Sequence, residues 1–250
     1  MEVHAHSHTH GKKSWKSYFW EFLMLFLAVF CGFLAENQRE HIVEHSREKQ
    51  YVESMIEDLK TDSTAMRFVI KYIKQQVSGF DSLLHNIYRK PFTDSTLRTL
   101  YYFKETYTLV NLKMRFSRGT ILQLKNSGGL RLIRNRAVAD SIIKYDIITE
   151  RVDDQGEGVD FSGKKLLDVS VKIFDGENVT DYNSNSDYRN ILRSTKKFNL
   201  LTDDIKLIKE YANLAKFRKD VIINYIRQLT SLQNRIPGII QFLKKEYHLE

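Results

Sequence analysis

The sequence is poor in the residues that interrupt helices and in those that form disulfides. It contains 2 prolines and 11 glycines among 250 residues, which favours long uninterrupted helices over chains of tight turns. Cys31 is the single cysteine, so an intramolecular disulfide is excluded and cysteine usage does not identify the compartment. No segment keeps the alternation of apolar and polar residues that is typical of a β-strand. These absences predict an all-α fold.

The sequence also lacks the familiar spacings of catalytic and cofactor-binding residues. It contains no nucleophile–base motif, no paired CxxC and no dinucleotide fingerprint. The segment 126–136 combines a glycine pair with arginines, as phosphate-binding loops do, but no predicted strand precedes it. Gly128 is more simply interpreted as the left-handed end of one helix before the next begins. We therefore expect a protein that is not an enzyme and has no resident cofactor.

One long apolar run lies near the N-terminus. Residues 22–35 carry no charge, and extending the run back to Tyr18 adds only Glu21. Eighteen helical residues span roughly 27 Å, close to the thickness of the hydrocarbon core of a bilayer. A cleaved signal peptide would have small residues before the cut, and a core helix would have a polar face; this run has neither. The pattern predicts a retained transmembrane helix at 17–36.

The flanks of this run indicate a topology. Aromatic residues at 15, 18 and 20 suit the membrane interface, and three lysines lie close before the run, at 12, 13 and 16. Three cations also follow within about fifteen residues, but they are less clustered, and long C-terminal domains translocate largely regardless of charge. The sequence therefore favours a cytoplasmic N-terminus and an exported body. The predicted organisation is a disordered, basic, His-rich tail at 1–16, the membrane helix at 17–36 and a helical domain at 37–250.

The helical domain shows the seven-residue periodicity of packed helices. One apolar stripe follows the membrane segment: Val52, Leu59, Met66, Ile73, Phe80 and Ile87. Pro91 is expected to end this helix, and Thr93 or Asp94 to begin a second helix that reaches about Met114.

Four further features complete the predicted domain. A third segment covers 118–125, and a long periodic run starts near Ala137. Thr202 is expected to cap the last long helix, and the polar stretch 175–199 to form a mobile loop. The fold prediction is thus a single N-terminal transmembrane helix that continues into a long-helix antiparallel bundle of four to five helices.

Histidines supply a candidate metal site. Alternate positions at the N-terminus are occupied by His4, His6, His8 and His10. In an extended chain alternate side chains point the same way, so several imidazoles could bind one Zn, Cu or Ni ion. The alternative is a disordered tail without metal. His41 and His45 share a helix face and could also bind metal, although solvated helix residues are the simpler interpretation.

A basic segment supplies a candidate anion site. Seven basic residues and no acidic residue occur between 113 and 136: Lys113, Arg115, Arg118, Lys125, Arg131, Arg134 and Arg136. Such a patch attracts phosphate, whether on nucleic acid or on lipid, or an acidic protein. The alternative is a solvated helix face. Within the segment, Arg131, Arg134 and Arg136 are the candidate contacts for an anionic partner or lipid, and export of the domain makes nucleic acid an unexpected partner.

Two stretches resemble a family of uncharacterised bacterial single-pass membrane proteins, a domain of unknown function. They read HAHSHTHGKKSWKSYFWEFLMLFLAVFCGFLAENQREH at the N-terminus and QLKNSGGLRLIRNRAVADSIIKYD in the domain. The resemblance covers about half of the chain and implies an inner-membrane location and a helical architecture, without an activity or established functional residues. It also implies that the His-rich tail is native.

These observations together predict a membrane-anchored, non-enzymatic helical interaction or scaffold module in the bacterial inner membrane. Its expected partners are the lipid bilayer and either a second copy of the chain or another membrane protein. The alternatives are a metal-handling protein that uses the N-terminal histidines and a binder of anionic lipid through the basic segment 113–136.

Overall fold

The predicted all-α fold is confirmed. The computed structural model describes residues 14–89, 91–108, 110–182 and 187–250, and these residues contain six α-helices and no strand beyond an isolated bridge between Phe174 and Leu200. The α-helices are α1 (Trp15–Ile87), α2 (Asp94–Phe103), α3 (Gly119–Asn126), α4 (Arg136–Ser170), α5 (Asn190–Arg193) and α6 (Ile205–Glu246). A π-helix follows α2 at Lys104–Thr108, and 3-10 helices occur at Gly129–Arg131 and Gly176–Val179.

The chain divides into two compact units, residues 1–50 and residues 51–250. In the first unit, the part of α1 from Trp15 to Leu34 has no buried residue. This is the one helix in the described part of the chain that is long and apolar enough to cross a membrane. The predicted limits of that membrane segment, residues 17 and 36, stay a prediction.

The second unit has its own hydrophobic core, to which α1, α4 and α6 all contribute. Every residue of the stripe predicted between Val52 and Ile87 is at most 3% exposed. Side chains with a 3-4 spacing lie on one face of a helix, which is why the periodicity identified them correctly.

Hydrogen bonds define the directions of the long helices in this unit. Asn135 at the start of α4 donates to Glu246 at the end of α6 (2.6 Å), and Gln228 donates to Gln155 (3.4 Å). Helices α4 and α6 are therefore antiparallel. Tyr145 links α4 to Asp62 of α1 (2.5 Å).

The ends of the helices follow ordinary capping chemistry, with one correction. Thr93 caps α2 as predicted, by accepting a hydrogen bond from the backbone N–H of Thr96 (3.2 Å). The prediction that Thr202 caps the last helix is wrong. Asp204 is the cap, and it accepts from the N–H of Lys206 (2.8 Å), while Thr202 instead accepts from the N–H of Asp204.

Two sites that contain residues of low helix propensity do not interrupt the helices in which they lie. Helix α1 runs through Ser78 and Gly79, and α6 runs through Pro237, where a kink or restart is expected from the missing N–H. Ile236 and Leu243, on either side of Pro237, are buried in the core, so tertiary packing outweighs the local preference.

The polar stretch 175–199 is tied at both ends to one side chain, Tyr101. Its hydroxyl donates to the carbonyl of Asn199 (2.7 Å) and accepts from the N–H of Asp175 (2.7 Å) and from the amide of Asn178 (2.9 Å). Because Tyr101 is fully buried, these bonds are sheltered from water. A tyrosine of α2 thus closes the base of the loop.

Candidate functional site

The basic segment 113–136 is partly neutralised by acidic residues on α4. Lys113 pairs with Asp160. Arg118 pairs with Asp153 (2.5 Å). Further along the segment, Lys125 pairs with Asp146 (2.5 Å) and with Glu150 (3.5 Å). Three of the seven basic residues of the predicted patch therefore belong to an intramolecular ion-pair ladder along α4.

The three candidate anion contacts lie at the turn between α3 and α4. Arg131 ends the 3-10 helix, Arg136 begins α4, and both are exposed, as is Arg134. Gly128 has φ 68°, so the left-handed turn predicted there is confirmed. The side chain of Asn135 accepts from the N–H groups of residues 137 and 138 and so occupies the start of α4.

The two histidine predictions have different outcomes. His4, His6, His8 and His10 lie outside the described residues. His41 and His45 each lie near a glutamate of the next turn. The distance from Nδ1 to Oε2 is 3.9 Å between His41 and Glu44 and 3.4 Å between His45 and Glu48. Among residues 14–250, apart from the undescribed ones, no group of three His, Cys, Asp or Glu side chains is placed to hold a metal ion.

A pocket of about 740 Å³ lies between α1 and the segment 102–107. Its volume falls within the range of about 300–1,000 Å³ that is usual for small-molecule sites. The lining residues come from three separate parts of the chain: Gln75, Ser78, Gly79, Ser82, Tyr102, Phe103, Thr106, Tyr107, Asp187, Tyr188 and Arg189. This pocket is the candidate functional site.

The wall of the pocket is built by a close approach of α1 to Tyr107. A Cβ atom on Gly79 would lie 2.3 Å from Cγ of the Tyr107 ring, so only glycine fits there without rearrangement. Gln76, the buried neighbour three residues earlier, donates to the carbonyls of Tyr107 (2.6 Å) and Val110 (2.8 Å). These contacts hold the aromatic segment against α1.

The same segment departs from α-helical geometry at the pocket. The prediction that the second helix extends to about Met114 is wrong, because α2 ends at Phe103 and the π-helix Lys104–Thr108 replaces its last turn. Short π-helices occur often at functional sites. Thr106 lines the pocket, and its hydroxyl oxygen is buried without a hydrogen-bond partner among the described residues.

Three of the lining rings touch one another. The ring centroids of Tyr102 and Phe103 are 5.1 Å apart, those of Phe103 and Tyr107 are 5.9 Å apart, and those of Tyr102 and Tyr107 are 6.2 Å apart. Burial raises the pKa of Tyr102, so its hydroxyl stays protonated and can donate a hydrogen bond. The cluster is a contiguous aromatic surface with polar edges.

Arg189 and Asp187 form an exposed ion pair at the rim, with Nε and Oδ2 2.7 Å apart. Hydrogen bonding to Arg189 through the backbone and side chain lowers the pKa of Asp187. The pair cancels its own charge, and no other lining residue is charged.

A second unusual feature of the domain is a buried cation, Arg218 of α6. Its side chain is fully buried and donates to the carbonyls of Val159 (2.8 Å) and Val110 (3.2 Å) and to Oδ1 of Asn111 (2.5 Å). Burial lowers the pKa of the guanidinium to about 10. Gly163 makes room for the side chain, since a Cβ there would lie 2.3 Å from Nη1. Arg218 therefore joins three segments of the domain.

Comparisons with family models, with curated proteins and with solved structures find no match to this chain. The resemblance to a family of single-pass membrane proteins accordingly stays a prediction.

Proposed function

We propose that the protein is a membrane-anchored, non-enzymatic helical interaction module whose domain, residues 51–250, binds a partner outside the anchor. The observation that carries this proposal is the exposure of the N-terminal part of α1. Its large apolar side chains are 45–84% exposed over Trp15–Leu34, apart from Leu23. Soluble monomers rarely expose an apolar patch of more than a few hundred Å². A bilayer is the environment that suits such a segment.

The surroundings of this segment support the same placement. Trp15, Tyr18 and Trp20 lie at one end, where amphipathic rings match the membrane interface. We place the N-terminus in the cytoplasm and residues 51–250 in the periplasm of a bacterial inner membrane, following the clustered lysines before the run.

The interaction role follows from a different part of the chain. The candidate pocket combines aromatic rings, hydroxyls and an amide on a wall that α1 and the π-helix hold in place. The stripe from Val52 to Ile87 does not contribute to binding, because it is buried in the domain's own core. Self-association, which remains part of the proposal, must therefore use another surface.

The two alternatives receive less support. The N-terminal histidines lie outside the described residues, so metal handling gains no observation. The anionic-lipid alternative retains Arg131, Arg134 and Arg136 on the surface, but the wider basic segment is compensated by α4. Neither is proposed as a second function.

Reporter fusions and membrane fractionation test the anchor. Alkaline phosphatase fused after Glu250 should be active and green fluorescent protein at the same position dark, and the protein should stay in the membrane pellet after alkaline carbonate washing. Replacing the lysines at 12, 13 and 16 by glutamate is the matched control, and it should weaken the orientation without releasing the protein. Release by carbonate, or a mature N-terminus beyond residue 35, would contradict the anchor. The opposite reporter pattern would contradict only the orientation.

A further inference from the structure

The candidate pocket differs from another surface pocket of residues 51–250 in charge and in aromatic content. A second pocket, of about 340 Å³, is lined by Lys113, Arg115, Arg118, Asp153 and Glu157, among others. The candidate pocket has four aromatic side chains and a single, self-paired set of charges, Asp187 and Arg189. Its ligand therefore needs neither a net positive nor a net negative charge, because an ionic ligand would meet no uncompensated charge to balance its desolvation.

The ring geometry identifies how a ligand would contact the aromatic residues. An aromatic cage for a quaternary ammonium needs rings that stand apart around the cation. Here the centroids of Tyr102, Phe103 and Tyr107 are 5.1–6.2 Å apart, so the rings pack on one another and leave no space between them. Their planes are inclined by 29–87° to one another, so they form an uneven platform against which a ligand can lie, rather than a cage that encloses one.

The polar groups around this platform are numerous and neutral. Ser78 and Ser82 supply hydroxyls, Gln75 supplies an amide, and tyrosines 102, 107 and 188 supply phenols. The protons of Ser78 and Ser82 are donated to the carbonyls of Lys74 (3.4 Å) and Ser78 (3.2 Å), so their oxygens can act as acceptors for a ligand, and the amide offers two donors and an acceptor. Burial raises the pKa of Tyr188, so its phenol remains a donor. An alkyl chain would desolvate the polar groups of the pocket without offering them a hydrogen-bond partner, which disfavours a purely apolar ligand.

We propose that this pocket binds a short neutral oligosaccharide. A sugar ring has an apolar C–H face, which would stack on one ring of the cluster formed by Tyr102, Phe103 and Tyr107, and a hydroxyl edge, which would bond to the polar side chains of α1 and to Tyr188. The exposed side chains of Ser78, Asp187 and Arg189 place the opening at the surface, so a longer glycan could extend past the ion pair into solvent.

This inference rests on the proposed binding role of residues 51–250 and is independent of the anchor. If the fusions and fractionation fail while sugar binding is found, the anchor is wrong and the ligand stands. If the anchor is confirmed and no sugar binds, the ligand class is wrong and the membrane placement stands.

The test is titration of the full chain in detergent micelles with neutral trisaccharides, namely maltotriose, cellotriose and N-acetylchitotriose, followed by saturation-transfer NMR and calorimetry. At least one trisaccharide should bind, with transfer to its ring C–H protons. Uridine and adenosine are included because a planar base can also stack on tyrosine.

Three variants locate the binding. Tyr188→Ala removes an aromatic side chain with a polar hydroxyl from the wall of the pocket. Ser78→Trp fills the pocket from an exposed position without removing a core residue. Each variant should weaken trisaccharide binding about tenfold or more. Tyr88→Ala removes an exposed tyrosine that does not line the pocket, and it should leave the affinity unchanged. Tyr188→Phe keeps the ring and should lose less affinity than Tyr188→Ala.

The proposal is overturned by three results. These are the absence of binding by any of the trisaccharides, binding that Ser78→Trp leaves intact, and binding of the nucleosides in preference to the sugars. Loss of binding in Tyr88→Ala would also place the site elsewhere.

Discussion

Helix α1 contains two apolar segments that differ in the fate of their side chains. In the segment 18–35 the side chains are mostly exposed, whereas the stripe from Val52 to Ile87 is at most 3% exposed. The first segment is apolar all round, and the second is apolar on one face. Periodicity of the apolar residues, and not apolar content, therefore indicates which residues a helix buries in its own domain.

The two parts of the chain also differ in where their charged residues lie. The segment 22–35 has no charged residue, yet the interior of residues 51–250 contains Arg218, which is fully buried, and Asp62, which is 1% exposed. Such groups are tolerated because each is hydrogen-bonded, Arg218 to backbone carbonyls and Asp62 to Tyr145 and to the N–H of Ser117 (2.8 Å). The burial of these two side chains is thus accompanied by hydrogen bonds from the same unit.

The largest expected effect comes from placing a charge in each apolar segment. Leu59→Asp buries a carboxylate in the core and should destabilise the domain by about 4 kcal/mol or more, enough to unfold much of it. Leu27→Asp changes an exposed position and should leave the domain folded while weakening membrane retention. Near-UV circular dichroism of the tyrosines measures whether the domain is folded, since all but Tyr18 of the 13 tyrosines lie in residues 51–250.

Both tryptophans, Trp15 and Trp20, lie in the first unit, so their fluorescence serves as the internal control. Equal loss of tyrosine ellipticity in the two variants would show that the exposed segment also stabilises the domain, which would remove the distinction between the two apolar segments.

The all-α fold and the stripe on α1 could be predicted because each depends on local spacing. Thr93 and Gly128 were likewise predictable, since a cap and a left-handed turn are decided within a few residues. The C-terminal end of α2 and the cap of α6 were not, because several neighbouring residues have suitable chemistry and packing selects among them.

The candidate pocket could not be predicted from local patterns, since its walls come from α1, the π-helix segment and residues 187–189. The neutralisation of the basic segment left a signal that could have been used. Acidic residues recur on α4 with 3-4 spacing, at 146, 150, 153, 157 and 160, and therefore share one face. That face pairs with Lys113, Arg118 and Lys125.

The next largest effect on the free energy of unfolding concerns alanine substitutions at two glycines of α4. One substitution should destabilise the domain and the other should stabilise it. Alanine at 163 would place its Cβ 2.3 Å from Nη1 of Arg218 and 2.9 Å from Oδ1 of Asn111, so Gly163→Ala should destabilise the domain by about 1–3 kcal/mol. A Cβ atom at position 158 would lie 3.9 Å from its nearest neighbour, so Gly158→Ala should stabilise the helix by about 0.5–1 kcal/mol. Urea unfolding followed by tyrosine ellipticity measures both.

The pair tests whether the buried cation needs its space. If Gly163→Ala were also stabilising, Arg218 could move at little cost, and the interior of the domain would be less specific than its hydrogen bonds indicate. A destabilising Gly158→Ala would mean that substitution in this helix is unfavourable for a reason other than the contact with Arg218.

The smallest effect concerns the pH dependence that Asp62 contributes. Burial raises the pKa of the Asp62 carboxyl above its ordinary value of 3.8, although hydrogen bonds from Tyr145 and Ser117 oppose this change. The folded domain then holds this proton to higher pH than the unfolded chain does, so its stability should fall as pH rises above 3.8 until the folded group also ionises. Asp62→Asn removes this contribution, so the wild type should lose stability relative to the variant with rising pH.

Urea unfolding at a series of pH values between about 4 and 8 checks the sign, since a tenfold difference in proton affinity between the folded and unfolded states corresponds to about 1.4 kcal/mol. Tyr145→Phe sharpens the test because it removes a hydrogen bond that favours the ionised carboxylate. In that variant the fall in stability should extend to higher pH. A wild type that gains stability relative to Asp62→Asn over the same range would show that Asp62 is stabilised as a carboxylate, and the interior of residues 51–250 would then accommodate an anion as readily as it accommodates Arg218.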